Sequence, residues 1–448
     1  MSTAPLANFD PKAINAFQFT YRSLQPDGLV RLGYALDDIE FEETFQLPAP
    51  RFGGAFAVEG LLDLLHWVAG VSYFKAAIPP HLVCETGAPP PAAERLLSAL
   101  YSEGLGEFAV VNGLERLPHP QFPRGIDWTP ENETTEPASL LVPVGGGKDS
   151  ALAVEIARRS GLETALFSVG DALPISATAN VAALPRHLVK RTIDPRLIEL
   201  NSRGALNGHV PITAIVSCVA LLTAATQGID AVLMANERSA SAGNFVYHGV
   251  EVNHQFSKSR RAERLLADAV AEIGGAPRIF SVLRPASELA IARAFAGLGQ
   301  YHSAFTSCNR VFGLDPEQRL GSWCCDCDKC RFVFLALAPF MTPERLTEIF
   351  GKDMLDDPSQ YEGFALLTAT GGEKPFECVG EVEECLAAIA LLSEQPQWQE
   401  HANVKRLAEE VLADRSVSEA DLASHFALSD DHDIPDALIG PVREVLGA

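Results

Sequence analysis

Apolar and polar residues alternate over residues 17–21, 30–36 and 41–45, the period-two pattern of half-buried strands. From 58 to 71 the spacing changes. Leu61, Leu62, Leu65 and Val68 fall on one face of a 3.6-residue helix, and residues 92–100 repeat the pattern. These elements predict a small α+β domain over residues 1–130. An acidic, proline-bounded stretch at 127–137 reads as a linker. The character then shifts. Short apolar runs at 140–144, 163–169, 231–235 and 279–283 alternate with helical periodicity at 150–159, 212–227, 260–273 and 286–298. Strands interleaved with helices predict an α/β domain with a parallel sheet and crossover helices, spanning 138–341. Helical patterns at 343–350, 381–393 and 404–413, and a short closing helix within 430–448, predict a mainly helical segment over 342–448.

Charge narrows the functions open to such a chain. Its 58 acidic residues outnumber its 35 basic ones, giving a net charge of -23. A nucleic-acid partner needs clustered Lys and Arg and is not expected, whereas a local basic pocket for an acidic small molecule remains open. The first residues lack a basic segment followed by an apolar run. The longest apolar stretch, 212–226, is broken by Thr, Ser and Gln, too short and mixed to span a bilayer. The expectation is a cytoplasmic protein without a membrane partner. Five of the nine cysteines crowd between Cys308 and Cys330, a spacing that suits a metal site better than disulfides.

The strongest chemical signal is Gly145-Gly146-Gly147-Lys148-Asp149-Ser150, placed between the first strand of the α/β segment and a helix. Glycines let backbone amides approach an anion, and a helix start adds partial positive charge. Ser150 can offer a hydroxyl to phosphate and Asp149 can hold Mg²⁺. Asp follows the lysine, so this is not a Walker A loop, and it is not a dinucleotide loop either. It resembles the S-G-G-x-D-S loop of the PP-loop ATP pyrophosphatases, with Gly145 replacing the first serine. That resemblance implies ATP bound by Gly145 to Ser150, and adenine beside Ser168 and Gly170. The plain alternative is a strand-to-helix turn without a ligand.

Cys308, Cys324, Cys327 and Cys330 can supply four thiolates to a structural zinc, with Cys325 spare. An iron–sulfur cluster on three of them, or simple buried thiols, are the other readings. Cys378 and Cys385 read as structural. Arg238, Lys258, Arg260 and Arg261 lie on polar stretches suited to binding carboxylates and phosphates. His209, His248 and His254 are general-base candidates by chemical type.

Several strings in order, Tyr34 to Asp38, the glycine loop, Asn236 to Ala240, Val252 to Ser259, Ser322 to Cys327 and Lys374 to Cys378, resemble the UDP-N-acetylmuramoyl-L-alanyl-L-glutamate epimerases of peptidoglycan synthesis. The resemblance runs from about residue 17 into the 380s. It implies that ATP and Mg²⁺ activate the terminal L-Glu of a UDP-MurNAc-dipeptide for inversion, releasing AMP and pyrophosphate. Asp149, Arg238, His254, Lys258 and His209 are the candidates for the reacting centre by their chemistry and placement, and a muramoyl-peptide ligase is the expected functional partner. The rivals are another adenylating PP-loop enzyme, such as a deazaguanine nitrile synthase or an amide-forming ligase, and a nucleotide-binding module without turnover.

Overall fold

The computed structural model describes residues 9–52, 56–126, 136–243, 245–313 and 319–447. The fold is α/β, with a mostly parallel central sheet and many helices. The chain divides into two compact units, each assembled from three separate stretches: 1–141, 187–232 and 246–279 in one, 142–186, 233–245 and 280–448 in the other. Most of the linker predicted at 127–137 lies outside the described residues.

In the first unit, strands Ala16–Leu24, Leu29–Leu36 and Ile39–Gln46 form an antiparallel meander, with Phe17 opposite Leu36 and Tyr34 opposite Phe41. His81–Cys84 adds in parallel beside the first strand. The predicted alternation is observed: Phe17, Phe19, Val30, Leu32, Phe41 and Phe45 are buried. Helix Phe56–Ala69 packs on Ile212–Gln227, and Pro91–Ser102 packs on Arg260–Ile273. Phe17, Phe19, Tyr34, Tyr73, Phe74 and Tyr101 interlock as a ring cluster under the meander. His66 sits among them, fully buried, with Nε2 at 2.9 Å from the Gly33 carbonyl. Burial holds its pKa down at about 4, so the ring is neutral.

Among the described residues four strands escaped the sequence pattern, His81–Cys84, Arg186–Thr192, Phe245–Tyr247 and Val250–Val252. Arg186–Thr192 reads Arg-His-Leu-Val-Lys-Arg-Thr and pairs antiparallel with the meander, Thr44 opposite Thr192. Its charges have a structural cause, because Glu43 is fully buried and Arg191 makes an ion pair with it.

In the second unit, helix Lys148–Ser160 packs against Glu288–Ala296 and the closing helix Asp436–Leu446. Gly161, at φ +70°, ends it in the left-handed region. The strand Glu163–Val169 lies beside the residues that lead into the glycine loop, Val144 N–H donating to Phe167 O at 2.8 Å. The helical C-terminal part closes on Trp398, which is fully buried and donates to Met341 O at 3.2 Å. Helix Glu419–Phe426 is an element the sequence pattern did not reveal, since its polar residues hide the period.

Candidate active site

The glycine loop joins strand Ser139–Pro143 to helix Lys148–Ser160, as the sequence predicts. Gly146 has φ +86°, and a Cβ there would lie 2.8 Å from the Pro174 backbone. A Cβ on Gly147 would lie 2.9 Å from Ser307 Oγ, whereas Gly145 faces open space. A serine at 145 therefore fits sterically, and its hydroxyl is simply missing from this loop. Gly147 gives the helix no side-chain cap at its start. The Ser150 hydroxyl donates to Gly147 O at 2.9 Å. Ser168 Oγ, at the end of its strand, is buried and has no hydrogen-bond partner. Gly170 follows at φ +79° with open space around it. The small residues and the orphaned hydroxyl fit a nucleotide polyphosphate.

Lys148 does not reach outward. Its side chain is 2% exposed, with Nζ at 2.5 Å from Asp149 Oδ1 and in an ion pair with Glu288, itself 3% exposed. Burial alone would lower the lysine pKa, but the two carboxylates override it and keep the ammonium charged. Burial raises the Glu288 carboxyl while Lys148 lowers it. We assign the ionised pair, because the contact is direct. Glu384 completes the network. It accepts hydrogen bonds from Ser239 Oγ at 2.6 Å, Glu288 N at 2.7 Å and Glu381 N at 2.7 Å. Burial first, then the charge of Glu288, raises its pKa to about 7. No sequence motif announced Glu288 or Glu384, because each lies more than a hundred residues or on another helix from the loop it supports.

A cavity of about 340 Å³ opens in the same unit, lined by Leu173, Pro174, His302, Thr306, Trp323 and Arg345 among others. It adjoins the loop through Thr306, whose N–H donates to Gly146 O at 2.9 Å.

Arg238 is placed differently from the anion-binding expectation. Its guanidinium donates to Ala427 O at 3.2 Å and Ser424 O at 3.5 Å, the carbonyl end of helix Glu419–Phe426. The basic run also divides. Arg260 pairs with Glu263 at 3.1 Å and Arg261 with Glu103 at 2.8 Å, so neither is an uncommitted cation.

Cys308, Cys324, Cys327 and Cys330 do come together, with all four sulfurs within 4.8 Å of one another. Sγ–Sγ distances of 3.7 Å for Cys324–Cys330 and 3.5 Å for Cys327–Cys330 are close to the ~3.8 Å that four 2.3 Å bonds impose in a tetrahedron. The donor set fits zinc. Cys325 is turned away at φ +53°, its thiol meeting Phe350 O at 3.2 Å. Cys385 is buried, which pushes its thiol pKa up and suits a structural role.

A second polar centre lies in the first unit. His209 comes from the loop before helix Ile212–Gln227, and His254 follows strand Val250–Val252. Their rings pack with centroids 4.5 Å apart. Both face Glu107 on helix Gly106–Val111: His254 Nδ1 hydrogen-bonds to Oε2, and His209 Nδ1 lies 3.7 Å from the same oxygen. Gly106 makes the approach possible, since a Cβ there would lie 2.8 Å from Val252 Cγ1. Asn207 fixes the His209 loop: its Oδ1 accepts from Lys75 Nζ at 2.6 Å and its carbonyl from Asn112 Nδ2 at 2.9 Å. Burial, then the neighbouring His254, holds the His209 pKa down at about 4. Lys258 sits on the 3₁₀ turn Phe256–Lys258, with Nζ 3.2 Å from Gln255 Oε1. His248, at φ +48°, occupies an exposed turn against Tyr247 and joins neither centre. Glu107, like Glu288 and Glu384, is a residue the sequence reading missed.

Two family models match the chain: the MurL N-terminal domain over residues 8–282 and the MurL C-terminal domain over residues 304–422. The UDP-N-acetyl-alpha-D-muramoyl-L-alanyl-L-glutamate epimerase of Xanthomonas oryzae pv. oryzae is 40% identical over 98% of this chain and 99% of its own length. Enzymes of the same name from Salinispora tropica and a Micromonospora species are 44% and 42% identical, over 91% and 96% of this chain and 88% and 98% of theirs.

Proposed function

The chain belongs to the family of UDP-N-acetyl-alpha-D-muramoyl-L-alanyl-L-glutamate epimerases, and on that premise we propose that it inverts the terminal L-Glu of UDP-MurNAc-L-Ala-L-Glu by adenylating its carboxylate. The observation that carries the adenylation is the glycine loop, with its uncapped helix start and the orphaned Ser168 hydroxyl beside it. Gly145 to Ser150 form the phosphate cradle of a PP-loop ATP pyrophosphatase domain, with Ser168 and Gly170 beside the nucleotide. Asp149 would hold Mg²⁺, which would offset phosphate charge.

The chemical need for ATP follows from the α-proton. Removing it beside an ionised carboxylate places a carbanion next to negative charge. Adenylation cancels that charge, so a positioned base can act and donors can stabilise the enolate. His254, His209 and Lys258 supply proton exchange and anion contacts in this reading, and Arg238 acts by holding the helix end it caps. Attack of water on the adenylate releases AMP, while pyrophosphate leaves at the first step. The Cys308, Cys324, Cys327 and Cys330 site takes a structural zinc. The product, carrying D-Glu, is a substrate for a muramoyl-peptide ligase in the cytoplasm. Among the described residues no helix is long and apolar enough to cross a membrane.

The test is incubation with UDP-MurNAc-L-Ala-L-Glu, ATP and Mg²⁺ in D₂O. D-Glu carrying α-deuterium, formed with AMP and pyrophosphate, is expected. AMP without inversion would move the function to ligation. Neither product from folded protein would sink the reading.

A further inference from the structure

We propose that Ser307 supplies the hydroxyl missing at Gly145, donating its proton to the pyrophosphate part of ATP at the glycine loop. The inference rests on the adenylation reading and adds to it a binding residue from outside the motif.

The side chains of the loop itself are committed elsewhere. Position 145, serine in the loops it resembles, is glycine here. The Ser150 hydroxyl has a single proton, and it is donated to Gly147 O at 2.9 Å. The Lys148 ammonium is turned inward onto Asp149 and Glu288. A polyphosphate on the loop would therefore find no side-chain proton donor within the motif in this arrangement.

Ser307 brings one from a distant stretch of the same unit. A Cβ built on Gly147 would lie 2.9 Å from Ser307 Oγ. Gly147 is the N-cap position of helix Lys148–Ser160. The hydroxyl thus stands where an N-cap side chain would begin, at the end of the helix that attracts anions. Ser307 is half-buried rather than sealed in the core.

The neighbours of Ser307 are held on both sides. Thr306 N–H donates to Gly146 O at 2.9 Å. Phe305 packs edge-on against Trp323, with centroids 5.2 Å apart. Cys308 is fully buried and is one of the four clustered thiols. The segment 305–308 ties the glycine loop to the cysteine site. A hydroxyl on so constrained a segment loses little freedom when it binds an anion.

The rival role is a cap in trans, in which Ser307 Oγ accepts from the helix start and serves stability alone. A cap would act on every nucleotide fragment alike and would lower the unfolding midpoint. A direct contact acts on the pyrophosphate part and spares AMP.

The experiment uses the full chain and titration calorimetry with three probes: α,β-methylene-ATP with Mg²⁺, pyrophosphate with Mg²⁺, and AMP. Ser307→Ala is expected to weaken the first two by about 10-fold or more, the loss of a hydrogen bond to a charged group, and to leave AMP within about twofold. Ser307→Cys keeps the shape but donates weakly, so it should show the same loss and guards against an effect of packing. Adding Gly145→Ser to Ser307→Ala should restore most of the affinity, because a Cβ at 145 has nothing within 4 Å. The same Gly145→Ser change in the wild-type background should tighten binding less, since the two hydroxyls then share one role. The proposal is overturned if pyrophosphate weakens less than about threefold, if AMP weakens in step with it, or if Gly145→Ser restores nothing. Wild-type protein that binds neither pyrophosphate nor the ATP analogue would instead defeat the adenylation reading itself.

Discussion

The two polar centres are built from similar groups and behave oppositely because their burial differs. Around Lys148, the Lys148 and Glu288 side chains are 2% and 3% exposed and pair at contact distance, with Asp149 at the open edge, 28% exposed. Around Glu107, His209 and His254 are 25% and 12% exposed, and two bases share one carboxylate oxygen. A fully buried, fully paired network resists change, since altering one member strands another. A half-open cluster can gain and lose a proton at modest cost. The first arrangement suits holding a loop in shape, and the second suits the proton exchange proposed for it.

The largest expected effect tests the rigid centre. Lys148→Met leaves Glu288 buried without its cation and should cost about 3–5 kcal/mol in urea unfolding. Glu107→Gln, at the half-open centre, should cost under about 1 kcal/mol. Equal losses would break the comparison.

The next test is pH, and the two units should respond with opposite sign. Glu384 has its folded pKa raised to about 7, so the folded state holds a proton that the unfolded state has released. Its contribution is intact below about 4.5 and is lost as pH rises through 7. His66 and His209 have folded values lowered to about 4, so they cost stability as pH falls from about 6.5 to 4. Each shift corresponds to about 3 kcal/mol or slightly more at full extent. Unfolding free energies between pH 5 and 7.5 should therefore rise more steeply with pH in Glu384→Gln than in wild type, and less steeply in His66→Gln. Unchanged slopes would show that burial is not setting these values.

Metal removal sharpens the view of the second unit. Cys330→Ser should abolish one equivalent of bound zinc, read by metal analysis, and leave deuterium exchange at the histidine centre chemically intact in whatever fraction remains folded. The smallest effect is expected at Arg238, where Arg238→Gln removes the cap on helix Glu419–Phe426 and should cost about 1 kcal/mol in the same unfolding measurement. A loss of ATP turnover far beyond that would return Arg238 to direct contact with substrate.

What was legible in the chain follows from range. The glycine loop, the strand at Glu163–Val169, the helix Ile212–Gln227 and the cysteine knuckle are local patterns, and each is where the sequence places it. Strand Arg186–Thr192 was not legible, because its polar residues answer a buried glutamate almost 150 positions away. The contact of Arg238 with the carbonyl end of a distant helix was not legible for a related reason, since nothing near it in the chain announces that helix.

The sequence by itself therefore determined the α/β class, the strand–loop–helix turn that can cradle phosphate and the thiols that can bind metal, since backbone period and residue chemistry act over a few neighbours. Only the tertiary structure decided that Lys148 turns inward to Glu288, that Glu384 supports both, and that Glu107 gathers two histidines onto one side. Those outcomes depend on which distant carboxylates folding buries beside which bases, and burial is a property of the packed chain rather than of any stretch of it.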